Sequence, residues 1–260
     1  MDAARIRATI VALGDSTTAG TPGFTSPIEA PPNGSGNVES QYAYWLMKMS
    51  MVGSRESVVG SHRQSEVSNQ PEVGRRFATT GYRLPGLSTT DFRLQTVPSF
   101  SNWLVLNRGV NGERTDQIRA RFERDVLAAK PNAVIVIAGV NDVCQGRGAD
   151  GVIGELEAMY DIGRAAGIPV VGGTILPFDT ATPDQNARMR TVNDWIRGHA
   201  SRMRAMAFCD TRAAVASPDA PDRLVSSPDN LHPSPEGYRL MAIALEPAVK
   251  RALASAMGKA

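Results

Sequence analysis

A chain of 260 residues, 42% hydrophobic and 21% charged with a formal net charge of +2, is long enough to bury one large core. It is too evenly charged to point to nucleic acid or an anionic membrane surface as partner. Two cysteines 65 positions apart, Cys144 and Cys209, exclude both a paired-cysteine zinc site and a disulfide framework.

No apolar run reaches the roughly 20 residues of a spanning helix. The N-terminus "MDAARIRATIVALGDS" passes straight into a strand without a signal-peptide apolar region. A cytoplasmic location is therefore expected, or a secreted one if a signal has been removed. In chain order, "RATIVAL" (7–13) is a near-continuous apolar run that reads as a strand buried on both faces, and it ends in the polar turn "GDS". Residues 21–37, with "TPGF" and "APPNGSGN", read as a turn-rich loop. Tyr42, Trp45, Leu46 and Met49 then form one apolar helical stripe, read as core. Residues 53–100 hold 13 apolar residues in 48 and no sustained period, which predicts an irregular, loosely packed insertion or an excursion folding over the site.

Regular patterning resumes with a strand at "NWLVLN" (102–107) and a helix over 115–129, with Ile118, Phe122 and Val126 on one face. A strand at "NAVIVIAG" (132–139), a helix over 152–166 ending at Gly167, and a strand at "IPVVGGTIL" (168–176) follow. Thr182 and Pro183 start a third helix, and "AMAFCD" (205–210) is a candidate fifth strand. Ser234 and Pro235 start the last helix, which Pro247 is expected to kink or shorten. Alternating strands and helices of these lengths mean βαβ units. They predict one α/β domain over 1–260 with a parallel sheet, helices on both faces, and ligands beyond the carboxyl ends of the strands.

The chemistry is carried by the turns. There is no G-x-S-x-G elbow, phosphate loop or H-E-x-x-H motif. A serine becomes a nucleophile only when a base within hydrogen-bond reach takes its proton and a third group orients that base. Of three histidines, His62 lies in the irregular region and His199 on a helical face with Trp195 and Ile196, where it reads as a packed or a surface residue. His232 sits in the polar loop "SPDNLHPSPEG", with Asp229 three residues earlier, a spacing that lets a turn carry the carboxylate to Nδ1 while Nε2 faces outward. The turns after the first three strands, "GDS", "RGVNGE" and "GVND", share one rim in a parallel sheet. A backbone N–H at Gly109 and the side-chain amide of Asn141 would suit an oxyanion. Asp142 reads as a structural cap, Cys144 as a small buried residue rather than a second nucleophile, and Arg108 and Arg147 as solvated surface cations, with contact to an anionic substrate as their alternative.

The succession "GDS", "NRGVNGE", "GVND" and "DNLHP" resembles the SGNH (GDSL-type) hydrolase superfamily, and the likeness spans nearly the whole chain. It implies a three-layer α/β/α sandwich, flavodoxin-like, with a five-stranded parallel sheet. By that resemblance Ser16 is the nucleophile, His232 the general base and acid, and Asp229 the orienting carboxylate. The oxyanion hole is then formed by Ser16, Gly109 and Asn141, and no metal or organic cofactor is required. Thr17 stands where the GDSL signature has leucine, outside the catalytic set. The implied activity is serine-esterase hydrolysis of a small-molecule acyl ester. Rim loops with few aromatics and no extended apolar stripe favour acetyl to butyryl groups, a carbohydrate or small-molecule deacetylase included. Acyl transfer, or lysophospholipase or thioesterase activity on the same Ser-His-Asp site, is the alternative, and neither substrate nor oligomeric state is readable. A histidine base must be neutral to act, so activity is expected to fall as pH drops through the imidazole range.

Overall fold

The computed structural model describes residues 8–60 and 102–257, with the backbone alone for 52–60 and 257. Five strands form the central sheet: β1 (Ala8–Gly14), β2 (Trp103–Gly109), β3 (Ala133–Ile137), β4 (Val170–Gly173) and β5 (Met206–Cys209). Their spatial order is β2-β1-β3-β4-β5 and every pairing is parallel. This is the doubly wound order in which the crevice at the carboxyl ends opens between β1 and β3. The expected three-layer α/β/α sandwich with five parallel strands is thus observed.

The near-continuous apolar strands are explained by burial on both faces. Ile10, Ala12, Ile135 and Ile137 point to one core layer, and Val11, Leu13, Val134 and Val136 to the other. The first layer is closed by helices α2 (Tyr42–Gly60) and α9 (Pro235–Met257), through Tyr42, Leu46, Tyr238, Met241 and Leu245, with the short α8 (Thr211–Val215) adding Val215. The second is closed by α3 (Thr115–Ala120), α4 (Phe122–Asp125), α6 (Ala149–Ala165) and α7 (Pro183–Arg202), through Ile118, Phe122, Leu156, Met159, Val192 and Ile196. Edge strand β2 alternates buried and half-buried residues, as an edge does.

Several expectations need correction. The helix foreseen over 115–129 breaks at Arg121, whose φ of −104° and ψ of 7° leave the helical region, and it closes with a 3₁₀ turn at Leu127–Ala129. Ile118, Phe122 and Val126 still reach one core, so the apolar spacing survives a break it cannot reveal. Pro247 does not end α9, which runs ten residues further to Met257. Pro247 and Ile243, whose carbonyl loses its partner, both lie on the exposed face, while Leu245, Ala248, Val249 and Leu253 hold the opposite face in the core. The 21–37 loop contains a two-residue antiparallel ribbon, Phe24–Thr25 with Ser35–Gly36. A second ribbon pairs Ala216–Ser217 with Ala220–Leu224, short elements with no sequence signal. Helix α2 extends to Gly60, into the region read as irregular; the rest of that region, and His62 with it, lies outside the described residues.

Candidate active site

The sheet register brings the turns together. Gly14, the last residue of β1, pairs with Gly109 on β2 and Ile137 on β3, so the segments that follow these strands leave the same rim. Asp15 then caps a single helical turn, α1 (Ser16–Ala19), by accepting a hydrogen bond from the Thr17 N–H at 3.0 Å. Ser16 is the first residue of that turn and 6% exposed. Burial pushes the Asp15 carboxyl up to about 7, with the nearby Asp142 carboxylate adding to the rise and the hydrogen bonds from Thr17 opposing it.

The loop before α9 supplies the partner. Asn230 takes a left-handed φ of 65°, which Asn tolerates better than most residues, and the turn folds Asp229 back on the chain. One Asp229 oxygen accepts the backbone N–H groups of Leu231 (3.1 Å) and His232 (2.8 Å), while the other lies 2.7 Å from His232 Nδ1. Desolvation works to raise this carboxyl, but the hydrogen bonds from the His232 ring and from the His232 and Leu231 amides outweigh it and hold it below the usual carboxylate range. An ionised Asp229 holds the proton on Nδ1 and leaves Nε2 as an acceptor. Nε2 stands 2.8 Å from Ser16 Oγ, joining residues 216 positions apart. A hydroxyl, an imidazole and a carboxylate in line are what a base-assisted nucleophile requires. The three residues singled out from sequence for this role are in contact.

The donor side departs from expectation. The Gly109 N–H is already committed to Asn107 Oδ1 at 3.0 Å. A Cβ at Gly109 would lie 2.1 Å from the Ala19 backbone N, so this glycine lets β2 pack closely against α1. Gly112, three residues on, has a φ of 74° and open space beside its Cα, and its N–H has no hydrogen-bond partner among the described residues. The signal was the Asn-Gly pair within "RGVNGE", which marks a turn needing positive φ. Asn141, on α5 (Val140–Cys144), donates one amide N–H to the Glu113 carbonyl at 2.9 Å, which sets it beside this turn and leaves its second N–H uncommitted among the described residues.

The surrounding residues are structural. Asp142 is fully buried and accepts from the Thr115 N–H (2.9 Å), the Thr115 hydroxyl (2.7 Å) and Arg147 Nη1 (2.7 Å), capping α3 as expected of it. Arg147 also pairs with Asp116, so it is an internal tie rather than a solvated cation. Cys144 is exposed, contrary to expectation, and desolvation of the thiol together with the Asp15 charge pushes its pKa up, which disfavours the thiolate. His199 is buried and packs against Trp195 and Tyr160, which selects the packed of the two expected readings. No helix among the described residues is long and apolar enough to cross a membrane.

Comparison with known proteins agrees with this architecture. Residues 79–240 match the model of the GDSL-like Lipase/Acylhydrolase family, a match that begins after the Ser16 turn. The chain is 30% identical over 152 residues to an acetylxylan esterase of Geobacillus stearothermophilus, covering 53% of this chain and 68% of that one. A protein of the G-D-S-L lipolytic family from Desulfitobacterium hafniense superposes with a TM-score of 0.61 at 20% identity, over 93% of this chain and 99% of that one. An acetylxylan esterase from Geobacillus stearothermophilus, in a catalytic variant at a histidine, superposes with a TM-score of 0.57 at 18% identity, over 94% of each chain; a second catalytic variant of it alters an aspartate three residues earlier. With more than half its length under the family model, the chain belongs to the GDSL-like lipase/acylhydrolase family and is a carboxylic ester hydrolase.

Proposed function

We propose that this chain is a serine esterase acting on short-chain acyl esters, acetyl to butyryl, through an acyl-enzyme. The observation that carries the reading is the 2.8 Å contact of His232 Nε2 with Ser16 Oγ, backed by Asp229 at 2.7 Å from Nδ1. His232 takes the hydroxyl proton as Ser16 Oγ attacks the ester carbonyl carbon. The Ser16 N–H, the Gly112 N–H and the free Asn141 amide N–H receive the developing oxyanion. Collapse of the tetrahedral intermediate breaks the bond to the alkoxy oxygen, which leaves with the proton from His232. Water, deprotonated by the same ring, then attacks the acyl-enzyme, and acid and free enzyme are released.

The short acyl preference is supported by the identity to an acetylxylan esterase, and the pairing of Asp229 with His232 by the Asp-x-x-His spacing that this chain shares with the altered positions of the catalytic variants. The test is a p-nitrophenyl ester series from acetate to octanoate, run beside Ser16→Ala and His232→Ala. We expect turnover to be greatest at acetate to butyrate and both variants to be inactive at the level of the assay. Full turnover by both variants would refute the mechanism, and a maximum at octanoate would refute the substrate class.

A further inference from the structure

We infer that Arg121 is a positioning residue for the reaction, a buried clamp that holds the nucleophile turn and the oxyanion turn in register. The inference rests on the serine-esterase reading. Arg121 stands at the break between α3 and α4, with 7% of its side chain exposed. All three of its guanidinium nitrogens are used. Nη2 donates to the Gly14 carbonyl at 2.8 Å, two residues before Ser16. Nη1 donates to the Arg108 carbonyl at 2.9 Å, at the end of β2, and to Asp125 Oδ2 at 2.7 Å. Nε donates to Glu113 Oε2 at 2.6 Å, and the Glu113 backbone carbonyl is the group that receives the Asn141 amide.

One planar cation therefore spans the carboxyl ends of β1 and β2 and the turn that carries Gly112, and through Glu113 it reaches Asn141. A guanidinium suits the task because its donors sit in a rigid fork, so carbonyls bound to it cannot shift independently. Lysine, a single point of charge on a flexible stem, cannot hold acceptors in three directions. Asp125, held also by Arg124, anchors the clamp from behind. Nothing here touches substrate. The expected contribution is to the placement of donors, where a misplacement of about 1 Å is enough to cost about 10²-fold in rate.

The experiment uses the whole chain as wild type, Arg121→Lys, Arg121→Met, Glu113→Gln, and the control Arg119→Gln, which removes only a surface pair with Glu155. Active serines are counted by the p-nitrophenol released on stoichiometric reaction with diethyl p-nitrophenyl phosphate. For each titrated site, kcat and KM on p-nitrophenyl acetate and the Ki of a short-chain trifluoromethyl ketone, which forms a tetrahedral oxyanion adduct, are then measured. We expect kcat per titrated site to fall about 10²-fold in Arg121→Met and about 10-fold in Arg121→Lys and Glu113→Gln. KM should stay within about twofold, and the ketone Ki should rise by the same factor as kcat falls. Wild-type kcat and Ki per titrated site in the variants, with only melting temperature or the number of titratable sites reduced, would overturn the inference. If Arg121→Met does not fold, Glu113→Gln and Arg121→Lys decide the matter alone. A wild type that the phosphate does not titrate would instead refute the serine-esterase reading itself.

Discussion

The two sides of the candidate site are built differently. On the base side, Asp229 and His232 belong to one turn, and the bonds that Asp229 accepts from the Leu231 and His232 amides and from the His232 ring all lie within four residues of chain. On the proposed donor side, Gly112, Asn141 and Ser16 come from three separate turns and are held by ties such as Asn107 to Gln41 and Arg121 to Gly14, which span 66 and 107 positions. The base side is a local conformational fact, and the donor side is a tertiary one. A site of this kind should therefore fail in two distinguishable ways, by loss of chemistry on one side and by loss of alignment on the other.

That contrast can be broken by substitution, beginning where the effect is largest. Ser16→Ala and His232→Ala should each lower kcat/KM on p-nitrophenyl acetate by about 10⁴-fold or more with melting nearly unchanged. Asp229→Asn should lower kcat by about 10³- to 10⁴-fold, because an amide no longer selects the tautomer with Nδ1 protonated. A loss smaller than 10-fold would show that the turn alone orients the ring. Asn141→Ala should cost about 10²- to 10³-fold in kcat, the range for removal of one oxyanion donor.

Asn107→Ala sharpens the comparison from the other direction. It leaves the Gly109 N–H, the Ala19 carbonyl and the Gln41 side chain without their partner in a buried setting, each at about 1–3 kcal/mol. We expect a lowered melting temperature and a change in kcat per titrated site below about 10-fold. A rate loss as large as that of Asn141→Ala at unchanged melting would return Gly109 to the oxyanion hole.

The smallest effect concerns pH. Asp15 has a folded pKa of about 7 against an ordinary value of 3.8, so the folded state binds more protons between these limits. Stability from this group is fully present below about pH 4 and is lost as pH rises through 7. Asp15→Asn keeps a capping acceptor and removes the ionisation, so its stability relative to wild type should grow from pH 4 to 7 and level off above. Denaturant unfolding curves across that window measure it, and a constant difference would contradict the buried carboxyl.

The amino-acid sequence was enough to find the strands, the double burial of β1, β3 and β4, and the Asp229–His232 turn, but not the alternating burial of edge strand β2. Apolar run length, proline and glycine punctuation and a three-residue spacing are local properties that survive into the fold. The likeness of four separated turns to one superfamily did the rest, by naming Ser16 as the partner of His232. The direction of the proposed donors, by contrast, follows from how the elements meet. Whether a glycine N–H is free depends on what its neighbours accept, and Asn107 takes the one at Gly109 while none of the described residues takes the one at Gly112. The break at Arg121 was hidden for the same reason: its apolar neighbours keep helical spacing, and the pull on its side chain comes from carbonyls on strands distant in the chain. Periodicity records which face a residue turns to the core, and hydrogen-bond direction is settled only when the elements meet.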